Sequence, residues 1–240
     1  MTRDSTPARA ATEIRSVLKR GGSPEHAKGV QCFFKEEIKS HGWYTAALRR
    51  AAVRCRRDLQ AKFQLPFVVQ VAEKLFTGRV LEEKIFGVFL LEKLTDQLGD
   101  GEFQMFESWL DRISSWADHD GLVHYLIAPM VVADPARVEN IFKWSKSPDR
   151  WHRRAACVAL IHGTRKGKFL LEIKPLSDSL LSDEDNMVQK GVGWLLRETA
   201  KADPVRTVPY LMKIRGKAPR LVLRTACETL PARDRARILG

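Results

Sequence analysis

The sequence predicts an all-α fold, because apolar residues recur at the spacing of helix faces and no useful stretch alternates with the period of a strand. The set Ile85, Val88, Phe89 and Leu91 shows the helical spacing clearly. Asn-Gly, the strongest hairpin signal, does not occur. With 15 Gly and 11 Pro in 240 residues, the chain is neither collagen-like nor of low complexity.

Turn-forming residues divide this helical pattern into segments from residue 8 onward. In chain order the breaks are Gly21–Pro24, Gly99–Gly101, Asp134–Pro135, Ser147–Asp149, Ser182–Asp183 and Asp203–Pro204. Several offer Ser or Asp as a helix N-cap with Pro just inside, as at Ser23 and Pro24. We predict a frayed tail over residues 1–9, for which a transit peptide is the alternative, and a single helical domain over residues 10–240.

A repeat of about 35 residues underlies the helices. Three similar segments place Lys84, Arg154 and Lys190 in register, and the last two are 36 residues apart. Asp120 falls at the missing middle position, and Arg224 follows Lys190 by 34 residues. Two helices per repeat at this period predict a HEAT-like superhelix, an α-solenoid whose equivalent positions line one concave, basic cleft. In that arrangement Asp120 is the one acid among four cations, unless the register arises by chance.

The charge balance indicates a polyanionic partner. There are 41 Lys and Arg against 29 Asp and Glu, a formal net charge of +12. Nucleic acid is the commonest partner of such a surface. Apolar runs stop far short of the ~20 residues of a membrane span, so we expect no membrane partner. The four cysteines (Cys32, Cys55, Cys157 and Cys227) form no Cys-x-x-Cys pair, and we expect buried, reduced thiols in an intracellular protein.

Two tryptophans are candidates for contact with a ligand. Trp116 precedes Asp120 by four residues, so the ring and the carboxylate share a helix face suited to a cationic group. The alternative is core packing by Trp116 and helix capping by the acid. Trp194 follows Gly191 and Gly193, which allow either close approach of a ligand or tight packing of helices.

Clustered cations are candidates for phosphate contacts. Arg153 and Arg154 open a helix, where an anion would compensate the helix dipole, although a solvated face is the alternative. A second patch consists of Arg49, Arg50, Arg54, Arg56, Arg57 and Lys62. His119 and His124 flank Asp120 at a spacing that does not suit a metal, and we expect no metal site.

Four segments together resemble the AlkD-like alkylpurine DNA glycosylases. Their order along the chain is that of the family, over about residues 10–230. The segments are Ala27–Lys35, Trp116–Asp120, Trp151–Ala156 and Gln189–Lys201. The resemblance implies a HEAT-like fold that excises N3- and N7-alkylated purines from duplex DNA without flipping the base, as a monofunctional hydrolase in base excision repair.

The resemblance also implies roles for individual residues. Asp120 would be the catalytic carboxylate, Trp116 and Trp194 would flank it, and Arg154 would hold a phosphate. Phe33 stands where the family has a tyrosine, so the ring is kept and a hydroxyl is lost. We further expect DNA contacts from Lys190, Arg153, Arg224 and Arg197. We also expect a monomer in the bacterial cytoplasm or nucleoid that needs no cofactor. The alternatives are a non-catalytic relative that binds branched or distorted DNA, and a protein scaffold with a basic face.

Overall fold

A computed structural model describes residues 5–240, and helices dominate it. The α-helices are α1 (Pro7–Gly21), α2 (Pro24–Gln31), α3 (Thr45–Gln60), α4 (Leu65–Phe76), α5 (Leu81–Leu91), α6 (Asp100–Trp109), α7 (Trp116–Leu122), α8 (Ala128–Ala133), α9 (Val138–Trp144), α10 (Arg150–Thr164), α11 (Leu170–Leu180), α12 (Asn186–Ala202), α13 (Pro204–Ile214), α14 (Arg220–Ala226) and α15 (Ala232–Leu239). A π-helical segment, Val123–Ile127, follows α7. Over residues 5–240 no strand forms, and the predicted all-α class is confirmed.

Several helices begin at residues whose side chains cap them. The hydroxyl of Thr6 accepts a hydrogen bond from Arg9 N at 3.3 Å and starts α1 at Pro7, inside the predicted tail. Residues 1–4 of that tail lie outside the described residues. At the predicted break before α10 the cap is Asp149, whose carboxylate accepts from Trp151 N at 2.7 Å. The breaks in the sequence therefore locate helix starts to within a few residues.

The chain divides into two compact units, Met1–Leu126 and Ile127–Gly240. In the N-terminal unit α5 packs against α3, α4 and α7. Phe76 and Trp109 are fully buried there, and their rings stack with centroids 4.3 Å apart. The apolar pattern predicted for α5 is so nearly continuous because this helix is surrounded on most sides.

In the C-terminal unit α12 packs between α10 and α14. A Cβ added to Gly193 would lie 2.6 Å from Thr225 Cβ, and one added to Gly191 would lie 3.3 Å from Arg154 Cγ. The two glycines thus permit close approach of α12 to its neighbours, as the packing interpretation predicts. The register positions of the repeat, from Lys84 to Arg224, fall in α5, α7, α10, α12 and α14.

The cysteines are only partly as expected. Cys157 and Cys227 are buried, and burial raises the pKa of the Cys157 thiol to about 12. Cys55 is half-buried and Cys32 is exposed at the end of α2, which corrects the expectation that all four are buried. Apolar neighbours in sequence do not bury Cys32, because the short helix α2 has no buried residue.

Candidate functional site

Helix α7 presents Trp116 and Asp120 one turn apart. Ser115 is its N-cap, and Ser115 Oγ accepts from Ala117 N at 3.3 Å. Asp118 completes the cap, because its Oδ1 accepts from Ser115 N at 2.7 Å and from Ser115 Oγ at 2.6 Å. The capping carboxylate is therefore Asp118, and Asp120 is left for another role.

Lys84 is buried and does not belong to a surface stripe. Its Nζ lies 2.9 Å from Asp118 Oδ2 and 2.6 Å from Ser114 Oγ, and it also donates to Arg112 O. The lysine side chain is 3% exposed and that of Asp118 is 0% exposed. This corrects the expectation that Lys84 shares an open face with the other register positions. The cation is used to hold the start of α7.

The Asp120 carboxylate contacts a buried histidine and is partly exposed to solvent. Its Oδ1 lies 2.7 Å from Nδ1 of His119, which is fully buried, while the aspartate side chain is 22% exposed. An ionised carboxylate only accepts hydrogen bonds, so this contact requires the proton on Nδ1. The π-helical segment begins three residues later, and such segments are frequent at functional sites. The carboxylate is thus oriented and still accessible.

The segment after α2 contacts Trp116. The Phe34 and Trp116 rings stack with centroids 5.1 Å apart, and Trp116 Nε1 donates to Phe33 O at 3.4 Å. Trp116 is 37% exposed and Phe33 is 74% exposed. The structure therefore brings Phe33 and Trp116 together on the surface that also carries Asp120. These large aromatic side chains remain exposed, as at a binding site.

The first turn of α5 positions the loop that leads out of this segment. The buried carboxylate of Glu82 accepts from Ser40 Oγ at 2.6 Å, and from the backbone N–H groups of His41 at 2.8 Å and Gly42 at 2.9 Å. Gly42 has a φ of +79°, a conformation that favours glycine. Next to Glu82, Glu83 accepts from Arg15 Nε at 3.0 Å. Three consecutive charged residues, Glu82 to Lys84, thus anchor α1, this loop and α7. Sequence reasoning missed all three contacts.

In the C-terminal unit the predicted cations divide into two groups. Lys190 and Arg224 are exposed, on α12 and α14. Arg153, by contrast, pairs with Asp183 through Nε at 2.6 Å, and Arg154 is 5% exposed and donates to Met187 O at 2.6 Å. Arg153 and Arg154 each make a contact within the protein, so binding a phosphate would be a second role for either side chain.

Trp194 and Arg197 complete the predicted set on α12. The Trp194 ring is half-buried, one turn beyond Lys190. Arg197 pairs with Glu228 and also contacts Glu198, at 3.4 Å from Nε to Oε1. Helices α10, α12 and α14 thus carry Trp194 and the predicted cations of this unit, which are Arg153, Arg154, Lys190, Arg197 and Arg224. Phe33, Trp116 and Asp120 belong to the N-terminal unit.

Glu198 makes stability of this unit depend on pH. Burial of the carboxylate raises its pKa, but hydrogen bonds and Coulomb attraction from Arg165 and Lys201 outweigh burial and lower the pKa from 4.5 to about 2. A lowered folded-state pKa stabilises the fold above pH 4.5, and the contribution is lost as pH falls towards 2.

We expect Glu198→Gln to lower the free energy of unfolding by at most about 3 kcal/mol at pH 7, and the difference from wild type to shrink below pH 4.5. Urea unfolding at pH 7, 4 and 3 measures it, with exposed Glu184→Gln as control. A difference that does not change with pH would contradict the expectation.

Among residues 5–240, no group of three His, Cys, Asp or Glu is placed to hold a metal ion. Within the same range no helix is long and apolar enough to cross a membrane.

Comparisons with known proteins identify relatives. The family model described as DNA alkylation repair enzyme matches residues 14–230. The fold is similar to a solved structure titled as a predicted DNA alkylation repair enzyme from Enterococcus faecalis, with a TM-score of 0.76, 18% identity, and coverage of 88% of this chain and 97% of that one. It is also similar to smu.31 from Streptococcus mutans UA159, with a TM-score of 0.54, 18% identity, and coverage of 77% and 100%. A search of curated protein sequences found no match.

Proposed function

Because the chain belongs to the family of DNA alkylation repair enzymes, we propose that it is a monofunctional DNA glycosylase. Its substrates are cationic N3- and N7-alkylated purines in duplex DNA, and the damaged base is not flipped into a pocket. The observation that carries the proposal is the partly exposed Asp120 carboxylate, oriented by His119 and one helical turn from the exposed Trp116, in a chain of net charge +12.

The chemistry of the leaving group explains why one carboxylate is enough. An alkylated purine of this kind carries a positive charge and leaves as a neutral base, since the electrons of the broken C1′–N bond neutralise it. No general acid is then needed, and the barrier lies in positive, oxocarbenium-like charge on the sugar. Asp120 stabilises that charge and orients the attacking water, which bonds to C1′ and gives its proton to solvent. The products are the free base and an abasic site.

The other residues bind the nucleotide and its backbone. Trp116 in the N-terminal unit and Trp194 in the C-terminal unit each carry an indole face suited to a cationic nucleotide or a deoxyribose. Lys190 and Arg224, which are exposed, bind phosphates, and Arg154, Arg153 and Arg197 support the same surface. Phe33 carries an exposed ring but no hydroxyl, and its backbone oxygen accepts from Trp116 Nε1, so its side chain offers DNA a stacking face and no polar group. Phosphate binding of this kind weakens as salt increases.

Base release from defined duplexes tests the proposal. We expect free base from duplexes with N7-methylguanine or N3-methyladenine, intact strands before alkaline treatment, and much slower release from a duplex carrying the neutral base uracil. Chromatography of the released base and gel analysis of the strand measure both results. Salt-sensitive binding with no release would favour the non-catalytic DNA-binding alternative, and neither binding nor release would favour the scaffold.

A further inference from the structure

Helix α3 carries the five arginines of the second cationic patch, and Lys62 follows the helix. The structure divides these arginines into two groups. Arg49 pairs with Glu92, and its guanidinium lies 4.0 Å from the centroid of the Phe89 ring. Arg56 is buried and donates to Phe89 O at 3.1 Å. These two arginines join α3 to α5 and are occupied by the fold itself.

The other three arginines of α3 face solvent on one side of the helix. Arg50, Arg54 and Arg57 are exposed and follow one another at spacings of four and three residues, which places them along one face. In the described range of 5–240, no guanidinium of the three makes an ion pair or a hydrogen bond. We define these three residues as the α3 stripe.

The α3 stripe has no internal compensation for its charge. Like charges at these spacings destabilise a helix by a few tenths of a kcal/mol per pair. Elsewhere the chain uses the same spacing for ion pairs, as between Arg9 and Glu13 in α1 and between Lys174 and Asp178 in α11. In α3 the sole acid, Asp58, is exposed and makes no ion pair with the stripe. An external anion is what would compensate this row of charge.

The dimensions and residue type of the α3 stripe fit a nucleic-acid backbone. The seven helical steps from Arg50 to Arg57 span about 10 Å, which corresponds to about three nucleotide steps measured along the axis of a DNA duplex. Arginine, used here at every position, binds phosphate with a planar, two-pronged hydrogen-bonding group. Helix α3 packs on α5, and α5 packs on α7, so the stripe belongs to the same unit as Asp120.

We propose that the α3 stripe is a second phosphate-binding surface for duplex DNA, separate from the residues that contact the lesion. The proposal rests on DNA being the partner in the proposed function. The surface holds undamaged and damaged duplexes equally, because phosphates carry no information about the base. It therefore contributes affinity and salt dependence, not substrate choice.

A matched pair of triple variants tests the proposal. The stripe variant is Arg50→Gln with Arg54→Gln and Arg57→Gln. The control is Lys19→Gln with Arg20→Gln and Lys74→Gln, which removes the same charge from exposed positions of α1 and α4 in the same unit. Affinity for undamaged duplex is measured at several salt concentrations. We expect the stripe variant to reduce the slope of log K against log salt by about 2–3, and the control to reduce it by less than about 1.

Stability and activity separate the possible outcomes. Since the stripe is a row of like charges, its variant should melt at the wild-type temperature or above, and a lower Tm would overturn the proposal. Equal slopes for stripe and control variants would also overturn it. Unchanged DNA affinity with lost binding to phosphatidylserine vesicles would overturn it as well, because the stripe would then bind a lipid surface.

At saturating protein the stripe variant should release N7-methylguanine at the wild-type rate. Absence of base release by wild type would refute the glycosylase proposal. The salt dependence of DNA binding by the two triple variants would still show whether the α3 stripe binds phosphates.

Discussion

Asp120→Asn is expected to slow release of N7-methylguanine from duplex DNA by about 10²–10³-fold, since it removes the charge that stabilises the developing cation on the sugar. Asparagine has the same shape, and its oxygen can still accept the hydrogen bond from His119 Nδ1, so the fold and the contact are kept. Single-turnover release at saturating protein measures the step. Under these conditions DNA affinity does not limit the rate.

A control variant shows that the loss belongs to this carboxylate. Asp111→Asn removes one exposed acid from the short helix just before α7 and should release base at the wild-type rate. A rate for Asp120→Asn within about threefold of wild type would contradict the role assigned to Asp120, even if wild type is active.

Lys84→Met is expected to destabilise the protein by about 3–5 kcal/mol, because it leaves the buried carboxylate of Asp118 without its cation. Methionine fills a similar volume, so the effect reports the charge rather than a cavity. Denaturant unfolding measures the free energy. We also expect lower activity at temperatures where the variant is folded, since Asp118 caps the helix that carries Asp120.

A second substitution distinguishes the buried charge from packing. Lys84→Met combined with Asp118→Asn removes both charges, and it should recover part of the stability lost by Lys84→Met alone. If the double variant is less stable than the single by the full cost of Asp118→Asn in wild type, the two side chains do not interact. The Lys84–Asp118 pair then does not hold the start of α7.

The fold class could be predicted because many apolar residues along the chain recur at helical spacing. The period near 35 residues places Lys84, Asp120, Arg154, Lys190 and Arg224 in a set of helices that includes α10, α12 and α14 packed side by side. What the period cannot tell is which way each side chain faces. A helix surrounded on most sides, such as α5, buries its polar positions too, and a lysine there is recognisable only once its partner Asp118 is seen.

The candidate site was predictable where chemistry depends on spacing along one helix. Trp116 and Asp120 share α7, as the interval of four residues predicts. The contact of Trp116 with Phe33 joins residues 83 positions apart, and only the resemblance to a family linked them in advance. Likewise, a spacing argument that excludes His119 as a metal ligand gives no sign that its Nδ1 contacts Asp120.

Free-base release by the wild-type protein decides whether the chain is a DNA glycosylase. The protein at saturating concentration is incubated with duplex DNA that contains one N7-methylguanine, beside a buffer control and an Asp120→Asn sample. We expect release well above buffer for wild type, little above buffer for Asp120→Asn, and unbroken strands until alkali is added. Release by wild type equal to that in buffer, from DNA that the protein demonstrably binds, would contradict the proposed glycosylase activity.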